Sequence, residues 1–278
     1  MHISFLSDFG LDDEFVGVVH GVVARIAPEV NVIDVTHGIG QGDVRGGALA
    51  LLRAVQYLPE GVVLAVVDPG VGTDRRAIAC RTSRGYFVGP DNGLLAPAVA
   101  MVGGADKFVA LENPEFMLPS AGSTFHGRDI FGPAAAVLAS GEATLDELGP
   151  EIPPGQVTPL LLPLVEHEAG VASGEIWWVD TFGNAQTNVS REDFEQMGLS
   201  EGDDVILEVG GSAFHLTWAA AYGNVEPGEA LLVVDSHGQV AISVRGGSAV
   251  DDLPIDSGVA VQFRRSTRRP GPSITATG

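Results

Sequence analysis

A proline-rich segment at residues 151–163 separates two stretches of the chain whose hydrophobic residues follow different patterns. Before it, short apolar runs alternate with longer amphipathic stretches, which is typical of an α/β fold with a mostly parallel central sheet. After it, short alternating runs are separated by glycine-containing turns, which favours a smaller antiparallel, barrel-like β domain. The chain is therefore expected to fold as two domains of different class.

These patterns set the expected domain boundaries. Residues 1–150 are predicted to form the N-terminal α/β domain and residues 171–263 the C-terminal β domain. Residues 151–170 are predicted to be a linker, because proline neither donates a ladder hydrogen bond nor continues a helix. Residues 264–278, which are rich in arginine, are predicted to be a disordered tail.

The charge of the chain excludes several classes of partner. With 15 basic and 36 acidic side chains, the 278 residues carry a net charge of −21 at pH 7. Nucleic-acid backbones and anionic membranes would be repelled, so neither is an expected partner. No apolar run approaches the roughly 18–20 residues of a membrane span, and the N-terminus lacks a signal-peptide pattern. A cytoplasmic location is the expectation.

Cysteine and histidine spacing bears on metals and disulfides. The single cysteine, Cys80, excludes an intrachain disulfide framework and any multi-cysteine metal site. The histidines show no paired spacing of the kind found in zinc enzymes. No metal site is expected.

Two acidic residues follow predicted strands. Asp8 comes after the strand at residues 2–7 and Asp68 after the strand at residues 62–67. Ligands of open α/β sheets bind beyond the carboxyl ends of the strands, where a carboxylate can accept hydrogen bonds from a ribose diol or orient a catalytic partner. Either residue alone can equally cap a turn, but two together favour a binding site.

The segment that begins at Asp68 reads DPGVGTDRR and resembles a nucleotide-binding loop only superficially. It lacks the third glycine of the dinucleotide fingerprint and the Gly-Lys-Ser/Thr of a P-loop. Its glycines instead allow the backbone to return Arg75 towards Asp68. Such a pair, taken alone, is more often structural than catalytic.

A histidine stands just before a predicted helix, in the segment STFHGRD at residues 123–129. A helix N-terminus is electropositive and can hold an anion or polarise water. His126 can act there as a base or as an orienting group near neutral pH. The alternative is that it merely caps the helix.

Two polar turns mark the second domain. In the turn DTFGN at residues 180–184, Phe182 can stack on a purine while Asn184 reads its edge; the alternative is an ordinary Asx-rich turn. The turn DSHG at residues 235–238 can likewise be an ordinary hairpin turn.

Six motifs, taken together and in order, resemble the S-adenosylmethionine (SAM) hydroxide adenosyltransferase family, whose relatives include the SAM-dependent fluorinase and chlorinase. The resemblance extends from residue 3 to about residue 262. Its motifs are SDFG at 7–10, DVTHGI at 34–39, VVDPGVGTDRR at 66–76, TFHGRDIF at 124–131, DTFGNAQTN at 180–188 and DSHG at 235–238.

The resemblance implies a reaction and an assembly. The family is expected to catalyse SN2 attack of water at the ribose C5′ of SAM, which is a substrate and not a cofactor, releasing adenosine and L-methionine. A homotrimer with sites between neighbouring subunits is also implied. The residues that match the family's sites are Asp68, Arg75 and His126 for catalysis, Asp8 for the ribose, Asp180 and Ser236 for methionine, and Phe182, Asn184 and Tyr222 for adenine.

The same resemblance separates two branches of the family. Halogenase relatives carry an aromatic residue where this chain has Asp68, and they lack the histidine of TFHGRD. The chain therefore resembles the hydrolase branch, in which Asp68 and His126 are expected to orient the water while Arg75 stabilises the developing hydroxide. The alternatives are a chloride-using halogenase of the same fold and a non-catalytic SAM or adenosine sensor.

Overall fold

The computed structural model describes residues 1–266 and divides into two compact units, Met1–Leu161 and Leu162–Gly278. The division falls inside the segment 151–170 that was expected to be a linker. That segment is more than a linker, because it contributes one strand to the sheet of each unit.

The first unit is built on a seven-stranded sheet. Its strands are β1 (His2–Ser7), β2 (Asn31–Thr36), β3 (Gly61–Val66), β4 (Ala77–Thr82), β5 (Gly85–Pro90), β6 (Ala105–Ala110) and β7 (Glu151–Ile152). They lie in the order β2-β1-β3-β5-β4-β6-β7. Strands β2, β1, β3 and β5 pair in parallel, whereas β4 is antiparallel to both of its neighbours and β7 is antiparallel to β6. The predicted α/β class with a largely parallel sheet is confirmed.

Helices cover both faces of this sheet. They are α1 (Phe15–Ile26), α2 (Val44–Ala54), α3 (Ala96–Met101) and α4 (Gly132–Ser140), with a π-helical turn at Gly127–Phe131 and 3-10 turns at Val55–Tyr57, Pro114–Phe116, Leu145–Leu148 and Pro154–Gln156. Helices α1 and α4 share one hydrophobic cluster, and α2 and α3 share another. Every residue of β3 is buried, because a central strand has both of its faces covered.

The sheet brings the ends of β1 and β3 together. The two strands are parallel neighbours, with Ser7 opposite Val66. The amide of Asp8 donates to the carbonyl of Val66 at 3.4 Å, one step beyond the last paired residues. Asp8 and Asp68 therefore lie at the same edge of the sheet, as their positions after predicted strands indicate.

The second unit is a closed sheet of seven strands with an eighth strand outside the closure. The strands are β8 (Glu166–Glu168), β9 (Val171–Val179), β10 (Ala185–Ser190), β11 (Asp204–Val209), β12 (Ser212–Ala219), β13 (Ala230–Val234), β14 (Gln239–Val244) and β15 (Ala260–Arg265). Their order is β10-β14-β13-β12-β11-β15-β9-β8, and pairing of β10 with β9 closes the ring. The predicted barrel-like domain is confirmed. Short helices α5 (Arg191–Gln196) and α6 (Ala249–Asp252) and a 3-10 turn at Tyr222–Asn224 connect strands.

One strand pair departs from the expected antiparallel pattern. Strands β12 and β13 run parallel, with Trp218 opposite Leu232. A parallel pair needs a connection longer than a hairpin, and residues 220–229 provide it. The all-antiparallel expectation was wrong at this pair because alternation of apolar residues does not encode strand direction.

The C-terminal boundary also differs from the expectation. Arg264 and Arg265, assigned to the disordered tail 264–278, belong to β15 and pair with β11. Arg264 Nε donates to Glu208 Oε1 on that strand at 2.8 Å. The expected boundary at residue 263 was therefore wrong by two residues, and residues 267–278 lie outside the described part of the chain.

Within residues 1–266, none of the helices has the length and apolarity that crossing a membrane requires.

Candidate functional site

The loop after β3 folds back on itself. The Val71 amide donates to the Asp68 carbonyl at 3.2 Å, and the Thr73 hydroxyl donates to the Gly70 carbonyl at 2.7 Å. Gly72 has φ +78°, and a Cβ at this residue would lie 2.9 Å from the Ser123 carbonyl oxygen. The loop can therefore lie directly against the segment that carries His126 only because residue 72 is glycine.

This loop brings two of the candidate catalytic side chains, Asp68 and Arg75, into contact with the third, His126. Arg75 Nε donates to Asp68 Oδ1 at 3.0 Å, and Arg75 Nη2 donates to Asp68 Oδ2. The same Nη2 lies 3.0 Å from His126 Nδ1. The side chains of Arg75 and Asp68 are only 8% and 6% exposed, so the pair is desolvated on most sides. The structure thus brings together all three residues that the resemblance assigns to catalysis.

The contact with Arg75 settles which ring nitrogen of His126 carries the proton. A guanidinium only donates, so Nδ1 must accept and the neutral ring carries its proton on Nε2. Burial and the nearby positive charge of Arg75 both lower the pKa of His126 below its ordinary value of 6.5. At neutral pH His126 therefore presents the Nε2–H donor, and its basic nitrogen, Nδ1, is occupied by Arg75.

His126 does not act as a helix cap. It precedes the π-helical turn Gly127–Phe131, and its side chain makes no capping hydrogen bond. Its ring lies edge-on to Phe131, with centroids 6.4 Å apart. The capping alternative raised by the sequence is therefore wrong.

Phe131 also contacts Arg75. The guanidinium carbon lies 5.3 Å from the Phe131 ring centroid, within the range of a cation–π contact. Arg75 Nη1 is buried, and no atom of the described residues accepts a hydrogen bond from it. A buried guanidinium donor without an acceptor is costly, so this N–H is available to an oxygen atom of a ligand. Sequence analysis missed Phe131, although it lies inside the motif TFHGRDIF.

Asp8 is held at the end of β1 by the loop after β2. The amide of Gly42 donates to Asp8 Oδ2 at 2.8 Å, and the Gly10 amide donates to the His37 carbonyl at 2.8 Å. A carboxylate has about four acceptor positions, so this contact leaves capacity for a diol. Gly42 gave no sequence signal, because its role depends on a contact across 34 residues.

In the second unit, Asp180 organises the turn between β9 and β10. Its Oδ1 accepts the amides of Phe182 and Asn184, both at 2.9 Å, and its Oδ2 accepts Asn184 Nδ2 at 2.8 Å. These contacts make an Asx-type turn of the kind raised as an alternative. The turn holds the Phe182 side chain 76% exposed.

The turn between β13 and β14 is organised in the same way by Asp235. Its Oδ1 accepts the amides of His237 at 2.8 Å and Gln239 at 3.1 Å, and its Oδ2 accepts Gln186 Nε2. Ser236 is exposed at the tip of this turn. Tyr222, in the 3-10 turn after β12, is 44% exposed.

The chain matches a known family over both units. Residues 3–149 match the SAM hydroxide adenosyltransferase N-terminal domain, and residues 174–262 match the C-terminal domain of the same family.

Individual relatives agree with this match. The chain is 48% identical to the (R)-S-adenosyl-L-methionine hydrolase of Salinispora tropica over 92% of this chain and 95% of that protein. A fluorinase from Nocardia brasiliensis is more distant, with 25% identity over 94% of this chain and 96% of that protein. Among solved structures, an uncharacterized conserved protein from Thermotoga maritima superposes with a TM-score of 0.88 at 37% identity, covering 95% of this chain and 100% of that one.

Proposed function

The chain belongs to the SAM hydroxide adenosyltransferase family, and on that premise we propose that Asp68, Arg75 and His126 hold the water molecule that attacks SAM. The reaction is hydrolysis of SAM to adenosine and L-methionine, the activity class of the close relatives. Water oxygen forms a bond to the ribose C5′ while the C5′–S bond breaks and its electron pair goes to sulfur. Methionine leaves as a neutral thioether, so the leaving group needs no general acid.

The unpaired donor on Arg75 carries this proposal. Arg75 Nη1 is buried without an acceptor among the described residues, while Nε and Nη2 are committed to Asp68 and His126. A water oxygen would satisfy this donor through one lone pair, which leaves the other lone pair for attack on C5′. A donor fixed in this way holds the water in line with its target.

The tautomer of His126 determines how the proton leaves. His126 Nδ1 accepts from Arg75 and Nε2 carries the ring proton, so His126 holds the Arg75 guanidinium in place and does not take the proton of the water. Attack by neutral water leaves a protonated 5′-alcohol, which is a far stronger acid than a carboxylic acid. Asp68, the anion of the set, can therefore accept the proton late in the reaction without being a strong base.

Most of the rate enhancement is then assigned to positioning. Holding a nucleophile in line with its target supplies up to about 7–11 kcal/mol. Proton acceptance in the transition state adds roughly 10²–10⁴-fold. Because the Asp68 carboxylate is buried and paired with Arg75, we assign the larger contribution to positioning and the smaller to proton acceptance.

The remaining residues are proposed to bind the substrate. Asp8 would bind the ribose hydroxyls and Asp180 the methionine ammonium, with Ser236 near the carboxylate of methionine. The exposed ring of Phe182, with Asn184 and Tyr222, would contact adenine. No cofactor is included in the proposal, because SAM is itself the electrophile.

We propose further that the protein is a homotrimer in which neighbouring subunits complete each site. The catalytic residues belong to the first unit and the adenine and methionine residues to the second. The 76% exposure of Phe182 is expected for a ring that a ligand or another subunit covers.

Mixed assemblies test the shared site. Asp68→Asn and Asn184→Ala chains, each weakly active alone, should regain activity when co-refolded, because some sites then combine an intact first unit with an intact second unit from another chain. Co-refolding each variant with itself is the control. No recovery in trimers that retain two different affinity tags, one on each variant, would place each site within one chain.

Product analysis tests the reaction itself. Purified protein incubated with SAM should form adenosine and methionine equally in halide-free buffer and with excess chloride. A 5′-chloro nucleoside formed with chloride would favour the halogenase alternative, which a carboxylate at position 68 opposes by repelling a halide. Intact SAM together with a raised Tm would favour the sensor. Because the Salinispora protein is named for the (R) form, separate assays of the two sulfonium epimers should show preference for (R).

A further inference from the structure

Two histidines and an aspartate converge beside β2, and none of them belongs to the proposed catalytic set. His20 lies on α1, Asp34 on β2, and His37 directly after β2. Their potential ligand atoms all lie within 4.8 Å of one another. His20 Nε2 and His37 Nε2 lie 2.8 Å and 3.0 Å, respectively, from the same oxygen, Asp34 Oδ1.

His37 is the buried member of this cluster. Its side chain is 2% exposed, and its Nδ1 lies 2.7 Å from the hydroxyl oxygen of Ser7. Its Nε2 lies 3.0 Å from Asp34 Oδ1 and has no hydrogen-bond partner other than this carboxylate among the described residues. His20 Nε2 approaches the same oxygen, so the two ring nitrogens share one acceptor.

We propose that His20, Asp34 and His37 bind a divalent first-row transition-metal ion, of which zinc fits the donor set best. Two imidazole nitrogens and one carboxylate oxygen are a recurrent ligand set for such ions. The 35% and 44% exposure of the His20 and Asp34 side chains leaves a side of the ion open to a fourth ligand, such as water.

Ser7 completes the arrangement expected around a ligating histidine. Such histidines donate their second N–H to an oxygen, which fixes the tautomer and the ring orientation. Here His37 Nδ1–H would donate to the Ser7 hydroxyl, which leaves the Nε2 lone pair for the metal. The T-shaped contact of His37 with Phe5, at 4.6 Å between centroids, also fixes the ring plane.

Metal binding requires the ligand atoms, which all lie within 4.8 Å of one another, to reach bonding separations. Bonds of about 2.0–2.1 Å at tetrahedral angles separate ligand atoms by about 3.3 Å. The observed separations of 2.8 and 3.0 Å must therefore widen by a few tenths of an ångström. Because His20 and Asp34 are partly exposed, their side chains can move without repacking the core.

Calorimetric titration with zinc acetate tests the proposal on full-length protein that carries no affinity tag and has been treated with a chelator. The wild-type chain should bind one equivalent of zinc. His20→Gln and Asp34→Asn should each weaken this binding by at least the roughly 10–100-fold that loss of an outer partner of a ligating histidine costs. Ser7→Ala should weaken it about 10–100-fold while all three ligands remain.

His167→Gln is the matched control. His167 is 34% exposed and pairs with Asp193 at 2.7 Å, but this pair has no second histidine. Its replacement should leave zinc binding unchanged. The proposal is overturned if the wild type binds no stoichiometric zinc, or if His167→Gln weakens binding as much as His20→Gln does.

Discussion

The Arg75 side chain joins the other two residues proposed to hold the attacking water, Asp68 and His126. The fork of Arg75 holds Asp68 through Nε and Nη2, and Nη2 also donates to His126 at 3.0 Å. A lysine ammonium could not reproduce this planar pattern. The positive charge of the guanidinium also contributes to the lowered pKa of His126.

Separate effects on turnover and binding should distinguish Asp68 from Asp8. Asp68→Asn should lower kcat by roughly 10²–10⁴-fold with little change in SAM affinity, because its contacts matter most in the transition state. Asp8→Ala should mainly weaken SAM and adenosine binding, by about 10–100-fold for lost hydrogen bonds to a charged group. Single-turnover kinetics and calorimetry with adenosine measure the two effects. Normal adenosine binding by Asp8→Ala would refute the ribose assignment.

The lowered pKa of His126 predicts an acid limb in the activity. Protonation would place a hydrogen on Nδ1, facing the Arg75 donor 3.0 Å away, and the set would separate. We expect kcat to fall as the pH drops through a value below 6.5. The pH profile of His126→Gln should lack this limb, and an acid limb that persists in the variant would assign it to another group.

The same shift affects stability. The unfolded chain binds the His126 proton near pH 6.5, whereas the folded chain binds it only at lower pH, so the unfolded state holds more protons in between. The free energy of unfolding should therefore decrease as the pH falls from about 6.5 to the folded pKa, with no further change from this group below it. The free energy of unfolding, measured by urea titration at several pH values, should depend more steeply on pH over this interval in wild type than in His126→Gln.

The loop from Asp68 to Arg76 acts as one element because of a close backbone approach. Gly72, at φ +78°, leaves no room for a side chain beside the Ser123 carbonyl. The Arg75 side chain reaches His126 from a loop that is 51 residues away in sequence only because these two segments touch.

Gly72→Ala should therefore separate catalysis from folding. The left-handed conformation should cost about 1–2 kcal/mol, and the clash should displace the segment that carries His126. A displacement of about 1 Å is expected to lower kcat about 10²-fold. Gly141→Ala is the matched control, because its φ of +79° is nearly identical but no atom lies within 4 Å of the added Cβ. Both variants should lose stability in thermal melts, Gly72→Ala more than Gly141→Ala because of the added clash, and similar kcat values would contradict the role of the close approach.

Several strands and turns could not be predicted from local sequence patterns. Strands β7 and β8 lie within residues 151–170, which were expected to be a linker, because their pairing with β6 and β9 is not marked by local apolar alternation. The parallel pair of β12 and β13 has the same explanation, since apolar alternation sets which face is buried but not the strand direction. The π-helical turn after His126 was likewise absent from the predicted elements.

The net charge of −21 acts on the whole molecule. Acidic groups that repel one another destabilise a compact state, and salt screens this repulsion. The screening length falls from about 30 Å at 0.01 M to about 8 Å at 0.15 M salt.

The Tm should accordingly rise between 0.01 M and 0.15 M NaCl. Potassium glutamate at equal ionic strength should give the same increase, which would separate screening from specific chloride binding. A rise seen with chloride alone would indicate a halide site, and an unchanged Tm would show that self-repulsion does not limit stability.

The sequence alone determined the two domain classes, the place of Asp8 and Asp68 at strand ends, and, through six ordered motifs, the family. These properties follow from residue periodicity and local motifs, which are written along the chain. Only the tertiary structure decided which atoms meet: the Arg75 nitrogen shared by Asp68 and His126, the His126 tautomer, and the convergence of His20, Asp34 and His37. Such contacts join residues 3 to 51 positions apart, and their geometry is set by the packing of helices, strands and loops against one another and not by spacing in sequence alone.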